Sequence, residues 1–415
     1  MLTFVVNVGS GWDPLCSLSS ELTNAAICQE VRCEPLAVGT KTKAGVGEVG
    51  LSASAQDVFV ALTARVSATR PQLAVDCGLS KPTVSAAVSE LEAIELIERY
   101  GAAHGTIGRS AAVYRLGPAA GYALAVDHGS TQVSFRAVAL DGRLLGEGNT
   151  EVLSEARGMV RASLRRRVRS GPLRTVVVAV SDVVTPAGRG GDPVVDGRVR
   201  DAVEALGLPA GAAVLTENNV NCAAVAEMRE GVAGNRETFV YLQVGVGIGA
   251  GIVVNGRLLR GENGAAGELA RLAYPWTDDR PADHEALEAR LGSPGLLRRA
   301  RARWSTADGP PPRDAVALFA LAERGHPVAG RLVREHSREV GKLAVSLSAV
   351  LDPGLVVLGG GVGANPLLTR GVVDTLAELS WPTEVVVSRL GDRATVLGAA
   401  QLAREHAVRR VVAAL

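Results

Sequence analysis

A small helical domain followed by a long α/β region is what this 415-residue sequence predicts. Two changes of pattern carry that expectation. From Leu51 apolar residues recur at helical spacing, and from Gly117 strand-like runs alternate with helical ones. Composition sets the outer bounds. At 47% apolar and 21% charged residues, the chain is ordinary for a globular protein. A net charge of +1 excludes a polybasic binding mode for the whole chain, though not a local basic surface. Aromatic residues are 3%, so a stacking platform is not expected. The five cysteines are odd in number and form no CxxC pair, which argues against a disulfide scaffold or a Cys-rich zinc site. No run of 18 apolar residues suggests a membrane span, and the first residues make a poor signal peptide, so the expected location is cytoplasmic.

Residues 1–50 keep no sustained period and end in GTKTKAGVGEVG. They are expected to form a poorly ordered tail, the alternative being an extra element of the next domain. Residues 51–118 read as a winged helix-turn-helix. Val58, Leu62 and Val66 share one helical face, Pro71 opens a short helix that Gly78 ends, and Ser80 caps the next. In that helix Val84, Ala87, Val88, Leu91 and Ile94 form an apolar stripe opposite Lys81, Thr83, Ser85, Ser89 and Glu90. ELIERYG and AAVYRLG then pair as a wing with Arg109 near its tip. The domain is neutral, with six cations and six anions. Its Glu residues cluster at and beyond the middle of the recognition helix, while Lys81 stands at the start. The first part of such a helix faces base edges. Lys81, Thr83, Ser85 and Ser89 are therefore assigned to the major groove, and Arg70 and Arg109 to phosphate or the minor groove. The alternative is a helical segment that only packs on its neighbour.

Residues 119–415 carry strand-like YALAVD, VSFRAVAL, RTVVVAV, AAVLT, TFVYLQV, AGIVV, LVVLGG and EVVVSR. Helices are expected near 197–206, 219–231, 285–303, 313–350 and 394–415. Three motifs stand out. Asp127, Gly129, Ser130 and Thr131 form a DxGxT turn suited to phosphate, or to an ordinary hairpin. Gly245, Gly247, Gly249 and Gly251 alternate, allowing close approach of a ligand or a tight strand connection. A dinucleotide fingerprint is excluded because a strand rather than a helix follows. Glu217-Asn218-Asn219 ends a strand ahead of a helix, where it could meet sugar hydroxyls or simply cap the helix.

In this order, with VGVGIGAGIVVNGRLLRGENGAAGELAR as the most specific stretch, these motifs resemble the ROK family of the sugar-kinase/actin-like superfamily over about residues 119–405. The resemblance implies a bilobal α/β fold for residues 119–415, with a hinge near 235 and the return of the C-terminal helix. A winged helix in front is the arrangement of the family's repressors. The resemblance thus implies a regulator of carbohydrate-metabolism genes with operator DNA and a sugar or sugar derivative as partners, acting as a homodimer or homotetramer. It also implies sugar contacts from Asn218, Asn219, Glu268, Arg271 and Glu288.

Several positions depart from the family pattern. Asn219 stands where the kinases carry their Asp base, and an amide cannot take up the sugar hydroxyl proton near neutral pH. Ser130 and Gln132 alter the phosphate turn, and Ser181-Asp182 replaces a Pro-Gly. Asp127, Gly129, Thr131, Gly245, Gly247 and Gly249 are read as a vestigial phosphate site, compatible with residual nucleotide binding. Arg271 replaces a zinc-ligating His and no Cys follows Cys222, so neither zinc nor another cofactor is expected. Arg271 either recognises an acidic or phosphorylated sugar or pairs with Glu268 or Glu288. The remaining alternatives are a sugar kinase with an accessory winged helix, and a ligand-independent regulator with a degenerate pocket.

Overall fold

A computed structural model describes residues 51–103, 111–129, 132–165, 171–185, 193–209, 211–274, 283 and 285–414. The expectations for residues 1–50, Arg109, Ser130 and Thr131 lie outside them. The first described elements are helix α1 (Ala53–Thr63), strand β1 (Ala68–Thr69), helices α2 (Arg70–Cys77) and α3 (Lys81–Ala93), and strands β2 (Ile97–Ala103) and β3 (Ala111–Leu116). Each helix start has a local cause. Ser52, Thr69 and Ser80 accept backbone N–H groups of α1, α2 and α3. Gly78 closes α2 in the left-handed conformation. The strands pair antiparallel in the order β1-β3-β2. Phe59, Leu62, Leu73, Val88 and Leu91 are buried between the helices. Two expected core positions are not there. Val66 lies beyond α1 and is exposed, and Ile94 caps the end of α3 at 41% exposure. In both cases the helix ends before the apolar period does.

The first lobe holds strands β4 (Tyr122–His128), β5 (Val133–Ala139) and β6 (Leu144–Thr150), helix α4 (Leu153–Arg165), strand β7 (Leu173–Val180), helix α5 (Pro193–Leu206), strand β8 (Ala213–Asn218) and helix α6 (Asn219–Arg229). Its sheet order is β6-β5-β4-β7-β8, an antiparallel meander followed by parallel strands. The second lobe repeats the scheme with β9 (Phe239–Val244), β10 (Ile248–Val254), β11 (Arg257–Leu259), helices α7 (Ala286–Leu291), α8 (Ser293–Arg303), α9 (Ala315–Glu323) and α10 (Pro327–Leu351), strand β12 (Leu355–Gly359), helix α11 (Pro366–Leu379) and strand β13 (Glu384–Val387). Its order is β11-β10-β9-β12-β13, the same topology. The DxGxT turn and the glycine hairpin therefore occupy equivalent places, between the first two strands of each sheet. Helix α12 (Ala394–Ala413) returns to pack on α6 and on β4, β5 and β7.

Several expected helices were drawn too coarsely. The span 313–350 is two helices, divided where Gly325 takes φ +83° and Pro327 restarts the chain. The span 285–303 breaks at Gly292. Helices α4 and α11 were not expected, and α5 begins at Pro193.

His336 sits in the core of the second lobe. It is 1% exposed, edge-on to Phe319, and its Nε2 is without a partner among the described residues. Burial, with Arg299 and Arg290 nearby, pushes its pKa down to about 3. The native imidazole is held neutral while an unfolded one protonates near 6.5. Stability is thus fully present above pH 6.5 and is lost as pH falls toward 3, by roughly 3 kcal/mol at pH 4. His336→Phe should flatten that acid limb, read as urea midpoints between pH 7 and pH 4.

Candidate functional site

The end of β8 and the first turn of α6 meet the segment after β11. Asn218 is the N-cap of α6. Its Oδ1 accepts the N–H groups of Val220 (2.8 Å) and Asn221 (3.1 Å), satisfying donors that a helix start leaves open. Its Nδ2 points the other way, donating to the Asp182 carbonyl (3.2 Å) and to Glu268 Oε1 (3.3 Å). One side chain thus both caps the helix and reaches across to the second lobe. Asn219, the first residue of α6, is half-buried, and its carbonyl accepts from Thr395 Oγ1 (3.4 Å).

Glu268, half-buried, has its pKa raised by burial, partly offset by Arg271 and raised further by Glu288 and Asp182. Glu288 is likewise pushed up by burial, while an N–H from Ile248 holds it down. Asn218, Glu268, Arg271 and Glu288 thus share one electrostatic neighbourhood, with Arg271 exposed at its edge.

Two residues absent from the expected set hold the site together. Glu217, buried, accepts from the Asn218 N–H and from Asn221 Nδ2, each at 3.1 Å. Its other oxygen receives Arg260 Nε at 2.7 Å and a second guanidinium nitrogen at 2.6 Å. This two-pronged ion pair ties β8 of the first lobe to the end of β11 in the second. Glu217 was visible within its motif. Nothing in the spacing named Arg260, 43 residues away.

Asp127 lies at the end of β4. Burial raises its pKa to about 7. The wholly buried Cys222 thiol is pushed well up by burial and by Glu217 and Asp127, which places the DxGxT strand within electrostatic reach of the site. Gly129 is at the turn after β4, close to the Gln132 carbonyl. The glycines of the β9–β10 hairpin have protein neighbours. Gly245 accepts from Ser293 N–H (2.9 Å) and Oγ (2.7 Å), and a Cβ on Gly247 would lie 2.3 Å from Glu288 Oε1. Gly249 packs on Val220. The hairpin is thereby pressed onto α6 and α7.

In the N-terminal elements, Lys81 and Ser89 are exposed on α3, and Thr83 and Ser85 are half-buried. The Thr83 hydroxyl meets Ser80 Oγ (2.7 Å), and Ser89 Oγ donates to the Ser85 carbonyl (3.0 Å). Arg70 stands over the Tyr114 ring at 5.1 Å and lies 3.8 Å from Glu92. Tyr100, 60% exposed on β2, carries the Arg115 guanidinium at 4.1 Å, a contact not expected from the sequence.

Among the described residues no helix is long and apolar enough to cross a membrane. Residues 124–406 match the ROK family. The bifunctional enzyme NanE/NanK of Brucella melitensis is 31% identical over 207 residues, 48% of this chain and 37% of that protein, so the match spans little more than a third of that relative's length. The crystal structure of a ROK hexokinase from Thermus thermophilus is 30% identical, covers 69% of this chain and 98% of its own, and has a TM-score of 0.53. The crystal structure of a ROK family transcriptional regulator, described as a homologue of the Escherichia coli MLC protein, is 20% identical. It covers 86% of this chain and 96% of its own, with a TM-score of 0.64. The motifs, the paired sheets and the match over most of both lobes agree: the chain belongs to the ROK family.

Proposed function

We propose that the chain is a DNA-binding transcriptional regulator, a repressor of carbohydrate-metabolism genes, whose kinase-like lobes bind a sugar or sugar derivative without turning it over. The observation that carries this reading is the extent of fold likeness. The regulator covers 86% of the chain and the hexokinase 69%, a difference about the size of residues 51–118. Those residues, read as a winged helix-turn-helix, hold a helix whose first turn exposes Lys81. Lys81, Thr83, Ser85 and Ser89 would face the major groove, with Arg70 and Arg109 toward the backbone or minor groove. So few cations need a second half-site, hence a homodimer or homotetramer in the cytoplasm.

Asn219 supports the absence of phosphoryl transfer, because no carboxylate stands there to take the hydroxyl proton. Zinc does not fit either, since Arg271 cannot ligate it and no Cys follows Cys222. The sugar would meet Asn218, Asn219, Glu268, Arg271 and Glu288. Two carboxyl groups, Glu268 and Glu288, stand there and the Arg271 charge acts on Glu268, which favours a neutral polyol over an acidic sugar. The kinase relatives favour a second reading, a sugar kinase, and ATP consumption with a hexose would establish it.

The regulator reading is tested by a mobility-shift assay at low salt on DNA from upstream of the gene. A retarded band is expected, and Lys81→Ala should weaken it by roughly 1–3 kcal/mol. No shift with folded, dimeric protein would overturn the reading. Calorimetric titration with sugars, sugar acids and sugar phosphates would then identify the ligand.

A further inference from the structure

Helix α12 touches the candidate cleft at one end and the N-terminal elements at the other. At its start Thr395 donates to the Asn219 carbonyl (3.4 Å). Along its length it is fastened to α6. Glu405 receives Arg229 (3.0 Å), Gln401 donates to Glu230 (2.9 Å), and Gly398 lies against the Cys222 carbonyl. Further on, Arg404 Nη1 donates to the Thr63 carbonyl (3.2 Å) and the Leu140 carbonyl (3.4 Å), while its Nε is held by Gln401 (3.2 Å). Thr63 is the last residue of α1. Its carbonyl is one of those a helix leaves without an internal partner, at the negative end of the helix dipole. The carbonyls of Ala61 and Leu62 are taken by the backbone of the next turn, and that of Thr63 by Arg404.

The join is apolar as well. Ala399, Ala400, Ala403 and Ala407 of α12 belong to one buried cluster with Val58, Leu62 and Leu91. The connecting segment is also pinned, since Arg174 donates to the carbonyls of Ala119 and Ala120, and Arg410 donates to that of Arg174 (2.8 Å).

We propose that α12 passes the state of the cleft to α1 and the elements packed on it, with Arg404 as the residue that couples the two. A shift of α6 at Asn218–Asn219 must drag α12, because their backbones touch at Gly398. Arg404 then moves the end of α1. That this reaches DNA rests on the regulator reading; the mechanical coupling does not.

The test needs neither DNA nor sugar. Amide hydrogen exchange is followed on the full chain in the wild type, in Arg260→Met, which releases Glu217 in the cleft, in Arg404→Gln, and in the double variant. Arg260→Met is expected to change exchange of the α1 amides by roughly fivefold or more, although residue 260 belongs to the other lobe. In the Arg404→Gln background that change should vanish. Arg404→Lys, which keeps one donor, should retain part of it and serves as the comparison if Arg404→Gln does not fold. Unchanged α1 exchange while cleft amides respond would overturn the proposal. So would an equal change in both backgrounds. A failed mobility shift would leave this result standing, and the reverse holds too.

Discussion

Asp127→Asn is expected to stabilise the protein by about 3–4 kcal/mol at pH 8 and by nothing near pH 3. The native carboxyl, half-buried at the end of β4, is raised to about 7 by desolvation. An unfolded Asp ionises near 3.9. Between those values the native state holds a proton that the unfolded state has released, so wild-type stability falls as pH rises from about 4 to 7 and is level above. Each pH unit in that window costs about 1.4 kcal/mol. Asparagine has nearly the same shape and no charge to bury, so it escapes the loss. Urea midpoints from pH 3 to pH 8 check this. Parallel curves for wild type and variant would show that Asp127 ionises in the native state at its ordinary value.

The second large effect is expected at Gly398, where α12 crosses α6. A Cβ there would sit 1.7 Å from the Cys222 carbonyl oxygen and 3.0 Å from the Ala226 nitrogen. These are backbone atoms of a buried helix, so no side chain can rotate away. Gly398→Ala must push the helices apart through a core that holds Ala399, Ala400 and Ala403. The cost should be about 3 kcal/mol or more, at the upper end of overpacking effects. Gly158→Ala provides the contrast. It lies on α4 with nothing near its missing Cβ, and should stabilise by roughly 0.5–1 kcal/mol through helix propensity alone. Thermal or urea unfolding of the two variants gives opposite signs if contact distance, rather than residue type, decides.

What the sequence made legible was local. Ser80 and Gly78 read as caps, and one of Asn218 and Asn219 as a third, because such roles are met within a turn; the structure gives the third to Asn218. The strands showed as alternating or continuous apolar runs, and the glycine hairpin as a strand connection. The break between α9 and α10 was also written there, in Gly325 and Pro327, but a continuous apolar pattern ran across it. The rest depended on distant partners. Arg260 finds Glu217 only after two sheets have formed and met, and Arg404 finds Thr63 across 341 residues. Exposed Val66 and Ile94 fit their helical period but fall past the helix ends, where no neighbour covers them. The candidate site shows the same split: Asn218, Glu268 and Glu288 were named from the family resemblance, and the Glu217–Arg260 ion pair beside them was not.

The shared core between α12 and the N-terminal helices also bears on how such proteins can be recombined. Val58, Leu62 and Leu91 belong to one buried cluster with alanines of α12 more than three hundred positions further along the chain, and α1 touches α12 directly. A fragment cut after Leu116 would lose the α12 part of that cluster and the Arg404 hydrogen bond to Thr63. A chimera that exchanges residues 51–118 for those of a relative must therefore bring the facing alanines of α12 and Arg404 with it. The unit of inheritance here is discontinuous in sequence, made of the first described elements together with the last helix.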